Sequence, residues 1–115
     1  MKKILAVLIL ISFNLYSLTE NEASFIEAAE NGDIKKVKEL LALGADINIQ
    51  DDNSWTALIY AAWAGHTETV KELIKAGANL NIKDNEGKTA LDYAEGNGYN
   101  EIAKLLRSFK KKMKK

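Results

Sequence analysis

The residues able to do chemistry in this chain are few and scattered. There is one histidine, His66, and no cysteine among 115 residues. That falls short of the Cys and His donors that build a typical zinc site, and it removes thiol catalysis and disulfides. Asp51 and Asp52, with Asp84 and Glu86 further on, supply carboxylates without the ligand-rich loop of a calcium site. They are expected to be solvated groups at loop tips. The glycines fall at helix ends, and none belongs to a GxGxxG or P-loop pattern. The expectation is therefore no enzyme, no cofactor and no metal. What remains is aromatic. Trp55 and Trp63 are the two tryptophans, and Tyr60 stands one helical turn before Trp63, where it can share a face. Tryptophan is enriched at binding hot spots because it buries a large area at low entropic cost. The competing expectation is that both rings pack against neighbouring loops.

Charge and hydropathy divide the chain. Residues 1–17 begin Met1-Lys2-Lys3 and continue as an apolar run broken by Asn14. A membrane span needs roughly 20 apolar residues, so this run has the size of a secretory h-region. Ser17 provides a small residue for cleavage, although Leu15 departs from the small-x-small pattern. A cleaved signal peptide is expected, and with it export to a bacterial periplasm or beyond. Formal net charge is zero. Residues 18–106 hold all sixteen acidic residues against eight lysines, whereas residues 107–115 carry six positive charges and no negative ones. The body is acidic and the tail basic.

A shift of 33 residues brings the chain into register with itself. Ala28, Ala61 and Ala94 align, as do Gly32, Gly65 and Gly98, and Leu40, Leu73 and Leu106. Thr56-Ala57-Leu58 matches Thr89-Ala90-Leu91, and Asp51 matches Asp84. Each unit reads as two short helices around a glycine turn. In the central unit the first is expected near Ala57–Ala64 behind the N-cap Thr56. The second is expected near Thr67–Ala76, with Val70, Leu73 and Ile74 inward and Gly77 closing it. Isolated helices become even marginal only at roughly 12–15 residues, so these must lean on their neighbours as in a solenoid.

At these residues the chain resembles the ankyrin repeat family. TALIYAAWAGH is similar to that family's TPLHxAAxxGH, ELIKAGANLN to its LLxxGADxN, and TALDYAEGNGYNEIAKLL repeats the first segment. The resemblance implies an all-α α-solenoid of about three ankyrin repeats, preceded here by the signal peptide at residues 1–17. The units are an N-terminal cap at 18–50, a central repeat at 51–83 and a C-terminal cap at 84–109, followed by a basic tail at 110–115. It also implies short β-turn fingers and gives His66 a structural place at the glycine turn. Ala57 and Ala90 stand where the family has proline, Ile59 and Asp92 where it has histidine, and Ser54 where it has a turn glycine. These departures are expected to weaken the hydrogen bonding of each turn. Thr89-x-x-Asp92 offers a compensating capping box.

The resemblance implies partner binding by finger tips and the exposed side of the first helices. Column by column this surface comprises Asp52, Asn53, Trp55 and Trp63, with Ala64 and Ala76, then Asn85, Glu86, Lys88 and Asn97, with Gly96. Tyr60 joins it, and Glu30 and Asn31 extend it into the first unit. The expected function is a non-catalytic, monomeric protein–protein interaction module whose partner the sequence does not name, and no nucleic-acid partner is expected. The alternative is an adaptor at a membrane or cell surface, working through the basic tail or an uncleaved leader.

Overall fold

The computed structural model describes residues 20–113, so the leader expected at residues 1–17 lies outside the described residues. Six helices follow one another: α1 (residues 20–31), α2 (Ile34–Ala42), α3 (Ala57–Ala64), α4 (Thr67–Lys75), α5 (Ala90–Gly96) and α6 (Asn100–Met113). No strand occurs among the described residues. Helices α2, α3 and α5 begin where a short polar side chain satisfies a first-turn amide, whereas α4 starts after His66 with no side-chain cap. Thr56 accepts from the Ile59 amide at 3.2 Å, and Asp33 accepts from Lys36 at 3.2 Å. Thr89 and Asp92 form the full reciprocal capping box. Helix α3 occupies the span expected for it, whereas α4 ends one residue early and α6 runs past Lys110 to Met113.

The helices stack in two layers. Helix α3 packs on α5, and α2, α4 and α6 follow one another behind them. Alanine makes the first layer possible: Ala57, Ala61, Ala62, Ala90 and Ala94 are buried without the bulk that would push helix axes apart. Helix α1 adds Phe25, Ala28 and Ala29, and the second layer adds Val37, Leu40, Val70, Leu73, Ile102 and Leu106 to one continuous core. Ile102 of the last unit is buried, and Phe109 is half-covered with the Lys112 ammonium 5.4 Å from its ring. The outer helices also carry Lys38–Glu72 and Lys71–Glu101 ion pairs at 3.9 and 3.8 Å. Exposed pairs of this kind contribute little.

The glycine turns set the spacing between units. Gly32 and Gly65 adopt φ of 72° and 80°, a left-handed conformation that costs a side-chain-bearing residue free energy. Space is the second constraint. A Cβ on Gly32 would lie 2.8 Å from His66 Nδ1, and one on Gly65 would lie 2.8 Å from the Tyr99 ring. The aromatic residue of each unit therefore seats on the bare backbone of the unit before it. His66 also donates from Nε2 to the Glu30 carbonyl at 2.8 Å, the protonated nitrogen being assigned because a carbonyl can only accept. The histidine is a spacer in the stack.

Candidate functional site

The site is built from the two fingers that precede α3 and α5. Each finger is a tight turn closed by two backbone bonds, from the Asp51 amide to Trp55 and the Ser54 amide to Asp51 in the first, and from the Asp84 amide to Lys88 and the Gly87 amide to Asp84 in the second. The leading aspartate organises the interior. Asp51 Oδ1 accepts from the Asn53 and Trp55 amides at 3.0 and 2.9 Å, and its Oδ2 accepts from the Tyr60 hydroxyl. Asp84 repeats this with the Glu86 and Lys88 amides at 2.9 and 3.0 Å and the Tyr93 hydroxyl. Two sequence expectations are corrected here. Asp51 and Asp84 are not solvated tips: Asp84 is only 6% exposed and Asp51 is half-buried, while Asp52 and Glu86 do face solvent. Nor are the turns weakened, because an aspartate–tyrosine pair braces each one, and Ile59 is free to enter the core.

These pairs shape the local electrostatics. Burial pushes the Tyr60 hydroxyl up to about 12, aided by its bond to Asp51 and by the charges of Asp51 and Glu30. Tyr93 is raised further, by burial first and then by Asp84, Glu86 and Asp92. Burial alone would raise the Asp84 carboxyl. The Tyr93 hydroxyl, the Lys88 and Glu86 amides and the Lys88 charge together outweigh it and hold the carboxyl below its ordinary value. Both phenols stay protonated near neutral pH, each donating to its finger aspartate.

The fingers are tied to one another. Ser54 Oγ donates to Asn85 Oδ1 at 2.7 Å, while Asn85 donates from its side-chain nitrogen to the Asp52 carbonyl at 3.3 Å and from its amide to Asn53 at 3.2 Å. Ser54 has φ of 63°, where the second finger has Gly87 at 75°. Its hydroxyl bond to the neighbouring finger offsets part of the cost of that left-handed backbone.

Between the fingers and the first-layer helices lies an open groove of about 410 Å³, lined by Glu30, Asn53, Trp55, Tyr60, Trp63, Asp84, Asn85, Glu86 and Tyr93. Trp55 is its hub. Its ring centroid is 4.7 Å from Tyr60, 4.7 Å from Tyr93 and 5.8 Å from Trp63, the last in an edge-to-face arrangement. Trp55 is half-buried by these neighbours, whereas Trp63 is 43% exposed. Trp55 packs against its neighbours, as the competing expectation had it for both rings, and Trp63 presents an open indole. The surface carbon is aromatic and the rim is acidic.

Of the residues expected at a binding surface, Asn53, Trp55, Tyr60, Trp63, Asn85 and Glu86 line this groove, together with Glu30 from the first unit. Asp52, Lys88 and Asn97 do not line it. Asp52 lends its carbonyl to Asn85, Asn97 donates to the Trp63 carbonyl at 3.0 Å, and Lys88 stands at the edge with its ammonium 5.6 Å from the Tyr93 centroid. Tyr93 and Asp84 were missed as lining residues. A signal for both was present, since Tyr93 follows Tyr60 by 33 residues just as Asp84 follows Asp51. Among the described residues no group of three His, Asp or Glu side chains is placed to hold a metal ion, and no helix is long and apolar enough to cross a membrane.

A comparison with curated proteins gives no match. A family model described as ankyrin repeats, in three copies, matches residues 25–115 and so spans most of the chain, from within α1 through every finger and glycine turn to the end of α6. Such repeats are in general protein–protein interaction modules and are typically non-catalytic. With the 33-residue register, the paired helices and this match in agreement, the chain belongs to the ankyrin repeat family.

Proposed function

We propose that this protein is a monomeric, non-catalytic binding module that holds a protein partner in the groove between its fingers and its first-layer helices. The observation that carries the reading is Trp63, an indole left 43% exposed beside a cluster of three other aromatic rings. Capped helices and cross-linked fingers hold these groups in place before any partner arrives, so little ordering entropy is lost on binding. Acidic side chains around the groove favour a protein over a nucleic acid, whose phosphates they would repel.

Trp63→Ala tests this directly. Its ring is not part of the buried core, so helical content by circular dichroism should stay unchanged. Capture of the partner by the tagged mature chain should fall by about 2 kcal/mol or more in binding free energy, the loss typical of a hot spot. Unchanged capture would remove the groove from the interface.

Export is part of the same proposal and rests on the charged-then-apolar pattern of residues 1–17. The mass of the protein recovered from its native compartment should correspond to a chain beginning at Leu18. A full-length mass would favour an uncleaved anchor. The alternative adaptor reading draws its support from Lys110, Lys111 and Lys112 in the last turn of α6.

A further inference from the structure

The groove combines three features that point to a charge sign. Four aromatic rings supply its apolar surface. Exposed carboxylates stand on it from two units, Glu30 on α1 and Glu86 on the second finger. Among the described residues no lysine or arginine lines it. At its edge the chain already shows which group such a surface accepts: the Lys88 ammonium lies 5.6 Å from the Tyr93 ring and 3.4 Å from the Glu86 carboxylate. A cation is held there by an aromatic ring and an acid together.

We propose, building on the reading that this groove is the partner surface, that it takes an arginine side chain from an extended segment of the partner. An open indole is the best aromatic acceptor for a cation. A planar guanidinium can stack on it and still direct its N–H donors sideways to carboxylates, which a compact ammonium does less well. Trp63 supplies the face, while Glu30 and Glu86 supply exposed carboxylate acceptors, of which Glu86 is paired with Lys88. Asp84 does not take part, since the Glu86 and Lys88 amides and the Tyr93 hydroxyl already occupy its oxygens.

The protein reports on this groove by itself, because both of its tryptophans line it. The experiment titrates the chain with three neutral-ended Gly/Ser peptides that differ only in a central Arg, Lys or Glu, following tryptophan emission. The Arg peptide should give a saturable change. Its affinity should fall steeply as salt is raised from about 0.01 M to about 1 M, where screening shortens from roughly 30 Å to 3 Å. Glu30→Gln with Glu86→Gln should weaken binding about tenfold at low salt, with circular dichroism unchanged because both positions are exposed. Trp63→Ala should remove most of the response. Equal binding of the Glu peptide, no response to any peptide, or no effect of the double substitution would overturn the proposal. A Lys peptide that binds as tightly as the Arg peptide would overturn the arginine assignment. Self-association lost on removing residues 110–115 would place the basic tail of a second copy in the groove instead. If no peptide binds while Trp63→Ala still abolishes partner capture, this inference fails and the groove stays the partner surface. If capture survives Trp63→Ala, the underlying reading fails as well.

Discussion

Asp84→Ala is expected to lower the unfolding free energy by about 3–5 kcal/mol. Asp84 is 6% exposed and is the shared acceptor of two finger amides and the Tyr93 hydroxyl. Alanine leaves all three donors without a partner in a site that water reaches poorly. A domain of this size has about 5–10 kcal/mol of stability in total, so the loss is a large fraction of it and the urea midpoint should fall sharply. Urea titration followed at 222 nm reads the effect. Asp51→Ala is the internal control, because it removes the same set of bonds from a half-buried position and should cost less. Equal losses at the two positions would show that burial of Asp84 adds nothing.

The same pairs define a pH window. The Asp84 carboxyl is lowered in the fold, so below its ordinary value of about 3.9 the unfolded chain binds a proton that the folded chain does not. Its contribution is present above that value and is lost as pH falls through the folded one. The Tyr60 and Tyr93 hydroxyls are raised, Tyr60 to about 12, so above about 10 the unfolded chain gives up protons that the folded chain keeps. Their contribution is complete below about 10 and is lost as pH rises through the folded values. Between these limits the urea midpoint should be insensitive to these groups. The acid limb should become shallower in Asp84→Ala.

Leu73→Ala is expected to cost about 3 kcal/mol, within the 2–5 kcal/mol usual for removing a fully buried leucine. Leu73 has no exposed surface and lies on α4, which packs against α2, α3 and α6. A cavity there loosens the contacts of the central unit with both neighbours. Short helices that depend on their neighbours should then be lost together, so the urea transition is expected to stay single while its midpoint falls. A two-step transition would mean that the outer units fold without the central one. That outcome would contradict the mutual dependence of three stacked units.

Much of the fold is written locally. The glycine turns, the threonine N-caps and the Thr89–Asp92 box each involve residues three or four positions apart, so their spacing alone predicts α3 and the start of α5. The 33-residue register adds the order of the units. The candidate site was half legible. Family columns point to Trp55, Trp63 and Asn85, but the hydrogen bonds from Tyr60 to Asp51 and from Tyr93 to Asp84 span nine residues, beyond any helical or turn rule. Without those bonds in view, both aspartates look like ordinary solvated tips and the turns look weak.

The repeat, the two-helix unit, the positions of the turns and the absence of cysteine chemistry can all be read from the chain alone. These follow from local backbone preferences and composition, which need no neighbour to be read. The depth of Asp84, which tryptophan packs and which stays open, and the meeting of Glu30 and Glu86 from different units at one groove come from the packing of the units. Burial and proximity across units depend on how one helix pair seats on the next. Here that seating is set by His66 on Gly32 and Tyr99 on Gly65, contacts between residues 34 positions apart.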